Sequence, residues 1–506
     1  MTLVRRRAKA LWIYAIIIVF FAFCLFLARR FLPNSSFSNI LFGSVSHGGC
    51  KIITKGNYDK LILKGVVLTP KGPLQDGYVL VESGKVAEVG TSYSSESQDT
   101  LITVVDCANS VISPGFINLH EHLTYSIVSP FKDLGERVSH RHDWRVGARN
   151  RTIREALVAE DMIGDSIKWG ELRHLFSGTT SVVGGGMVTG LVRNLDFASG
   201  LEAGLLDAPS VWDVFPLDDA DGILRNNDCD YGPEAIDRQR AEKYHRYLAH
   251  VGEGVDDEAA NEFRCLSDET YDSLPMPGGG GLSTDIIAPN LAMVHALGLS
   301  ASDFDLVAKR GAHIIWSPRS NMFLYGKTLN ITYLLEAGIN VALGTDWLPS
   351  GSATMSREAH CAALATQQLY GRHLEAKTIW EMMTINAARA ASFEQHIGSL
   401  EVGKLADIVI FTESTGDVYS QAVFGSTENI EMVLRGGRVL LVGDKLGGLS
   451  SSHCEPVQIG RSRKAICIAD ELGLSYAEFA ASLAGFYPAA LPSIPPYEPL
   501  CDAIVS

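Results

Sequence analysis

Residues 111–122, VISPGFINLHEH, constrain this chain more than any other stretch. The apolar run breaks at Pro114-Gly115, resumes as Phe116-Ile117-Asn118-Leu119 and ends in His120-Glu121-His122. In an extended strand, side chains two positions apart share a face, so the two imidazoles project together from one strand end. Paired imidazoles suit a divalent transition metal, and such a strand fits a parallel barrel whose chemistry sits at its C-terminal rim. Two unrelated surface histidines are the plain alternative, and other segments must decide between them.

After residue 122, helical patterns of ten or more residues, such as 155–175, alternate with short apolar runs. The strands expected are 179–184, 211–217, 247–252, 291–297, 313–317 and 341–345, with 191–195 as a further candidate. With the opening strand they make about eight parallel strands in roughly 280 residues, the size and rhythm of a (β/α)8 TIM barrel. A doubly wound sheet has the same local pattern. Ahead of it, residues 61–70, 77–90 and 101–106 are β-runs divided by turn residues, and they cannot bury both faces alone. Matching β character returns at 400–414 and 431–444. The α/β architecture expected is therefore a barrel over 114–395 and a discontinuous β-sandwich made of 57–113 and 396–448. Irregular inserts at 218–231 and 275–281 are expected as loops near the barrel mouth. The extension 449–506 carries a helical pattern over 465–483 and a Pro-rich end, and docking or hanging free are both open to it.

Residues 10–28, ALWIYAIIIVFFAFCLFLA, contain no charge, Gly or Pro and are long enough to span a hydrocarbon core of ~30 Å. Arg29-Arg30 follow directly, without the small-residue site of a cleavable signal, which favours a retained anchor. Arg5, Arg6, Arg7 and Lys9 before the run outweigh the two arginines after it. The expectation is a single-pass membrane protein with its anchor at 1–30 and a stalk at 31–56. Its N-terminus would be cytosolic and its catalytic domain lumenal or extracellular. Asn34, Asn150 and Asn330 lie in glycosylation triplets, as a glycoprotein would have. A formal net charge of −15 argues against a nucleic-acid partner. Nine cysteines without a CxxC pair indicate neither a zinc ribbon nor a dense disulfide scaffold, and leave the redox compartment open.

The expected strand ends carry chemistry. His250 closes YLAH with Glu253 three positions on, His295 sits in MVHALGL, and Asp346 follows VALGT. Neutral imidazoles offer nitrogen ligands, and a carboxylate at the rim can both touch a metal and take a proton from water. Any one of these residues is ordinary, but packing does not account for all of them together.

Over about residues 60–445 the chain resembles the amidohydrolase superfamily, in its cytosine-deaminase-like and chlorohydrolase-like mononuclear branch. The resemblance rests on PGFINLHEH at 114–122, His250 with Glu253, His295, GTDW at 344–347 and GSLEVGKLADIVIF at 398–411. HRHDWR at 140–145, WSPRSN at 316–321 and GTDWLPSGS at 344–352 are similar to bacterial amidohydrolases of poorly defined substrate. The resemblance implies that His120, His122 and His250 hold a metal, with Asp346 as weaker fourth ligand and general base. Glu253 would shuttle a proton, and His295 would sit by the metal-bound water or the substrate oxygen. Binuclear members use a fourth-strand lysine that VWDVFPL at 211–217 lacks. One divalent ion is therefore expected, zinc first and iron as the alternative.

Trp144 and Arg145, with His140 and His142, are candidates for the substrate mouth, and Ser320 and Asn321 for hydrogen bonds to substrate. A charged surface loop and plain turn residues are the competing readings. The leading expectation is a hydrolase of carbon–nitrogen bonds other than peptide bonds, acting on a small cyclic amide or amidine. Deamination of a heterocyclic amine is its close rival, and a non-catalytic scaffold, which would lack some of these ligands, is the third reading. An assembly of identical chains is compatible with all three.

Overall fold

The computed structural model describes residues 49–502, with breaks at 94–100, 202–204, 206, 278–280, 413–415 and 450–452. Its first five strands are β1 (Lys51–Thr54), β2 (Asn57–Thr69), β3 (Gly72–Glu82), β4 (Lys85–Thr91) and β5 (Ile102–Pro114). The parallel strands follow: β6 (Phe116–Asn118), β7 (Thr179–Val182), β8 (Arg193–Asn194) and β9 (Val211–Asp213). Next come β10 (Tyr247–Val251), β11 (Leu291–His295), β12 (His313–Trp316) and β13 (Asn340–Leu343). The chain closes with β14 (Ile408–Phe411), β15 (Ile430–Arg435), β16 (Arg438–Gly443), β17 (Glu455–Ile459) and β18 (Ser462–Ile466).

Strands β6 to β8 pair in parallel, as do β9 to β13, in two sheets that keep chain order. Every residue of β10 and β11 is buried, as expected of parallel strands covered on both faces. Two backbone links join the sheets. Ser210 donates to the Leu195 carbonyl at 2.9 Å, and Asp346 donates to the His120 carbonyl at 2.8 Å beside a parallel bridge from Glu121 to Asp346. The second link sets the ends of β6 and β13 side by side, and with them His120 and Asp346.

The flanking β-strands differ from expectation in one respect. Rather than facing each other as two sheets, the N- and C-terminal strands form one ten-stranded sheet, with β14 pairing antiparallel to β5. One apolar cluster still draws on both segments, including Leu63, Val79, Ile408 and Met432. The joint to the parallel strands is Pro114-Gly115: a Cβ at Gly115 would lie 2.2 Å from the Thr180 hydroxyl, so only glycine lets β5 turn into β6 against β7.

Two helical expectations are also corrected. Residues 151–159 hold no regular structure, and the helix is Ile163–Phe176; Arg154 donates its amide to the Trp144 carbonyl, which takes the backbone out of helical register. The pattern at 465–483 resolves into the end of β18 and the short helices Ala469–Leu472 and Tyr476–Ser482, the latter started by a Ser475–Glu478 capping box.

The C-terminal extension docks on the body. Trp169 Nε1 donates to the Tyr487 carbonyl at 2.7 Å, Arg357 pairs with Glu498 at 2.6 Å, and a disulfide joins Cys361 to Cys501. Further disulfides join Cys50 to Cys107, Cys229 to Cys265 and Cys454 to Cys467, where the cysteine spacing indicated no disulfide scaffold.

The expectation of a single-pass membrane protein is corrected. Among the described residues no helix is long and apolar enough to cross a membrane, and the apolar run at 10–28 lies outside them. Asn34 also lies outside them, while Asn330 uses its side chain to cap the helix Ile331–Glu336.

Candidate active site

The imidazoles converge as the strand ends require. The His120 ring lies 4.9 Å from that of His250 and 4.8 Å from that of His295, and the His122 ring lies 5.6 Å from that of His250. Asp346 Oδ1 is 3.2 Å from His120 Nε2 and 3.5 Å from His122 Nε2, and its Oδ2 is 4.0 Å from His295 Nε2. Two overlapping triads, His120–His250–His295 and His120–His122–Asp346, have donor atoms within 4.8 Å of one another. The structure thus gathers the four expected ligands, His120, His122, His250 and Asp346, and adds His295 to them.

Each ring is aimed by its other nitrogen. His250 Nδ1 donates to the Asp213 carbonyl at 3.2 Å and His295 Nδ1 to Asn321 Oδ1 at 3.1 Å, while His120 Nδ1 bonds Ser317 Oγ at 2.7 Å. At His250 and His295 this leaves Nε2 as an acceptor facing the cluster. Behind the HxH segment, Glu121 accepts hydrogen bonds from the Thr345 hydroxyl at 2.5 Å and from His174 Nε2 at 3.2 Å. Asn118 Nδ2 donates to the same hydroxyl at 2.6 Å, so a buried polar knot ties β6 to the end of β13.

A divalent ion fits this donor set. His120 Nε2 is fully buried and has no hydrogen-bond partner, an expensive arrangement unless a ligand answers its lone pair. Burial pushes His122 down to about 4 and His250 well below its ordinary value, and lowers His295, so these rings are neutral and their lone pairs available. Burial alone would raise Asp346, but the surrounding imidazoles, His120 first, hold it well below the usual carboxylate range. A buried carboxylate among imidazoles is a hard-oxygen and borderline-nitrogen set of the kind zinc and iron accept.

The cluster floors a cavity of about 470 Å³ walled by Tyr125, Trp144, Phe215 and Trp347. The Trp144 and Trp347 rings are 5.2 Å apart and inclined at 34°. Trp144 Nε1 donates to the Tyr325 hydroxyl at 3.1 Å, and Tyr325 donates to Glu253 Oε1 at 2.6 Å. Glu253 Oε2 is 3.6 Å from His295 Nε2. Ring wall, phenol, carboxylate and imidazole form one connected chain.

Trp144 and Arg145 line the cavity. Ser320 and Asn321 do not: both are fully buried, Ser320 against the Ser350 hydroxyl at 2.8 Å and Asn321 behind His295. His140 and His142 are buried in a network with Glu262 and Asp219 instead of lining the mouth. Tyr325, Ser317 and Arg154 were not anticipated as site residues. Trp347 was within reach of the sequence reading, because it directly follows Asp346 in the GTDW motif.

Known proteins share the fold and parts of the sequence. A family model described as the amidohydrolase family matches residues 238–440. A 5′-deoxyadenosine deaminase of Methanosarcina barkeri is 28% identical over 422 residues, 76% of this chain and 93% of its own. A 5-methylthioadenosine/S-adenosylhomocysteine deaminase of Thermococcus onnurineus is 27% identical over 406 residues, 73% of this chain and 90% of its own. Among solved structures, the zinc complex of the atrazine chlorohydrolase of Arthrobacter aurescens has a TM-score of 0.54 at 19% identity, over 76% of this chain and 96% of that one. The fold is shared with an adenosine deaminase of Xanthomonas campestris with bound zinc, at a TM-score of 0.54 and 18% identity over 77% and 94% of the chains. The class is that of a hydrolase acting on carbon–nitrogen bonds other than peptide bonds. The chain is thus similar to the amidohydrolase superfamily, by the family model over 238–440 and by these relatives.

Proposed function

We propose that this chain is a mononuclear metal-dependent aminohydrolase that removes an amino group from a planar nitrogen heterocycle. In this reading the eight parallel strands make a (β/α)8 barrel with the metal at its C-terminal rim. The observation that carries the reading is the convergence of four imidazoles, Asp346 and Glu253 beneath a tryptophan-walled cavity. The names of the deaminase relatives favour deamination over hydrolysis of a ring amide.

His120, His122 and His250 would hold the ion, with Asp346 or His295 completing the set. A bound divalent cation supplies a water acidified from 15.7 toward ~7, a nucleophile available at neutral pH. Asp346, ionised and buried, accepts the proton of the attacking water at a carboxylate oxygen. The proton so gained passes by way of Glu253, oriented by Tyr325, to the departing nitrogen, which leaves as ammonia. His295, backed by Asn321, accepts a hydrogen bond at Nε2 from the hydroxyl formed at the attacked carbon. Trp144 and Trp347, packed on each other, form an aromatic wall against which the ring lies and exclude water around the reacting carbon.

The test is ammonia release from a panel of aminated purine nucleosides, pyrimidines and cyclic amides, run beside metal analysis of the purified chain. Stoichiometric metal with ammonia from a heterocyclic amine supports the reading. Turnover of cyclic amides alone would move the assignment to amide hydrolysis, and a chain that binds no metal would overturn it.

A further inference from the structure

Of the arginines that line the cavity, two stand outside any ion pair among the described residues. Arg141, Arg145 and Arg154 all line it. Arg141 is answered: its guanidinium pairs with Asp219 and lies 3.4 Å from Glu262, within the network that also holds His140 and His142. Arg145 and Arg154 are not, and among the described residues neither forms an ion pair.

Arg145 is held by neutral acceptors, His142 Nδ1 at 2.9 Å and the Ala220 carbonyl at 3.2 Å, with its guanidinium 4.3 Å from the Phe215 ring centroid. Arg154 donates to the Glu136 carbonyl at 3.0 Å and stacks 5.0 Å from the Phe323 centroid. Its Nη1 is buried without a hydrogen-bond partner. Carboxylates act on these two arginines only beyond ion-pair distance: Glu253 and Asp219 on Arg145, and on Arg154 Glu136 and Asp133, which pair with Arg151 at 3.7 Å and Arg137 at 2.9 Å. Glu155 lines the cavity as well, but it is exposed to solvent. Burial lowers both Arg145 and Arg154 from their ordinary values, the mark of cations desolvated without full compensation. Both flank Trp144, Arg145 by sequence and Arg154 through its amide bond to the Trp144 carbonyl at 2.8 Å. A ring stacked on Trp144 would therefore place its substituents beside them.

We propose that the substrate carries a negatively charged substituent, a carboxylate or a phosphate, seated against Arg145 and Arg154. The inference rests on the heterocycle reading and names the class of heterocycle: an anionic one. Guanidinium forks suit both groups, and the test separates them.

The experiment titrates the zinc-loaded, full-length chain with benzoate, phenyl phosphate and neutral benzamide, following tryptophan fluorescence. At least one anion is expected to bind about tenfold tighter than benzamide, and the stronger of the two identifies the group. R145Q and R154Q are each expected to lose about fivefold or more of that preference, with zinc content unchanged, while R145K and R154K retain part of it. Salt gives a check that needs no variant: raising it should weaken the anions and leave benzamide unaffected. Equal binding of all three probes overturns the proposal. So does an anion preference that survives in both glutamine variants, which would place the anion on the metal. Ammonia release is scored separately. An anion preference without turnover of any heterocyclic amine sinks the deaminase reading and leaves the anion site standing, and turnover without preference does the reverse.

Discussion

Two residues of the cluster are held in a conformation that most side chains avoid. His295 has φ +67° and Asp346 φ +61°, the left-handed region that costs a non-glycine residue roughly 1–2 kcal/mol. Packing maintains this strain where it turns an imidazole and a carboxylate toward the same point. Asp346→Asn keeps the shape and a ligand oxygen but removes the proton acceptor. It is expected to retain much of its metal while turnover falls about 10²–10⁴-fold, and unchanged turnover would end the general-base assignment. Tyr325 acts one step back. Tyr325→Phe leaves Glu253 without its 2.6 Å donor, a charge-assisted bond worth about 1.5–3 kcal/mol. The expected result is kcat down about tenfold to a hundredfold with KM and metal content little changed; a selective rise in KM would make Tyr325 a substrate contact instead.

Among the elements, the junction of β6 with the end of β13 matters most for the site. A Cβ on Gly344 would lie 2.5 Å from the His120 Cβ, so the two strand ends approach as closely as they do only because residue 344 is glycine. Gly344→Ala must push His120 away from Asp346. Overpacking of this kind costs about 1–3 kcal/mol, and zinc affinity, followed by competition with a chelator, should fall more steeply than thermal stability. A variant with normal zinc affinity would show that the approach is not what sets the ligand geometry. The HxH pair was legible because strand alternation is local and puts residues two apart on one face. Ser317 and Asn321 were not legible as supports for His120 and His295. Their roles depend on the chain after β12 turning into the helix Pro318–Tyr325 and passing behind the cluster, which no local pattern encodes.

Over the whole molecule, the disulfides and the docked tail show the limit of reading along the chain. Cys361 and Cys501 are 140 residues apart in sequence, and nothing local pairs them. Closing so long a loop stabilises by about 2–4 kcal/mol in typical cases. The double variant C361S/C501S is expected to melt earlier and to lose its last residues to limited proteolysis first; a tail that stays protected would show that the Arg357–Glu498 pair and the Tyr487 contact suffice to hold it.

By itself the sequence determined the alternating β and α segments, the strand ends bearing His120, His122, His250, His295 and Asp346, and the resemblance to the amidohydrolase superfamily. Each depends on periodicity or on short motifs, and side-chain direction follows from local backbone geometry. Only the tertiary structure decided that the N- and C-terminal strands share one sheet, that Ser320 and Asn321 lie behind the cluster, and that Tyr325 meets Glu253. It also decided that Arg145 and Arg154 line the cavity outside any ion pair among the described residues. Those outcomes turn on which distant surfaces meet and which charges are left unpaired when they do. VISPGFINLHEH specifies two imidazoles on one face, but the 2.8 Å bond from Asp346 to the His120 carbonyl is what makes them part of a site.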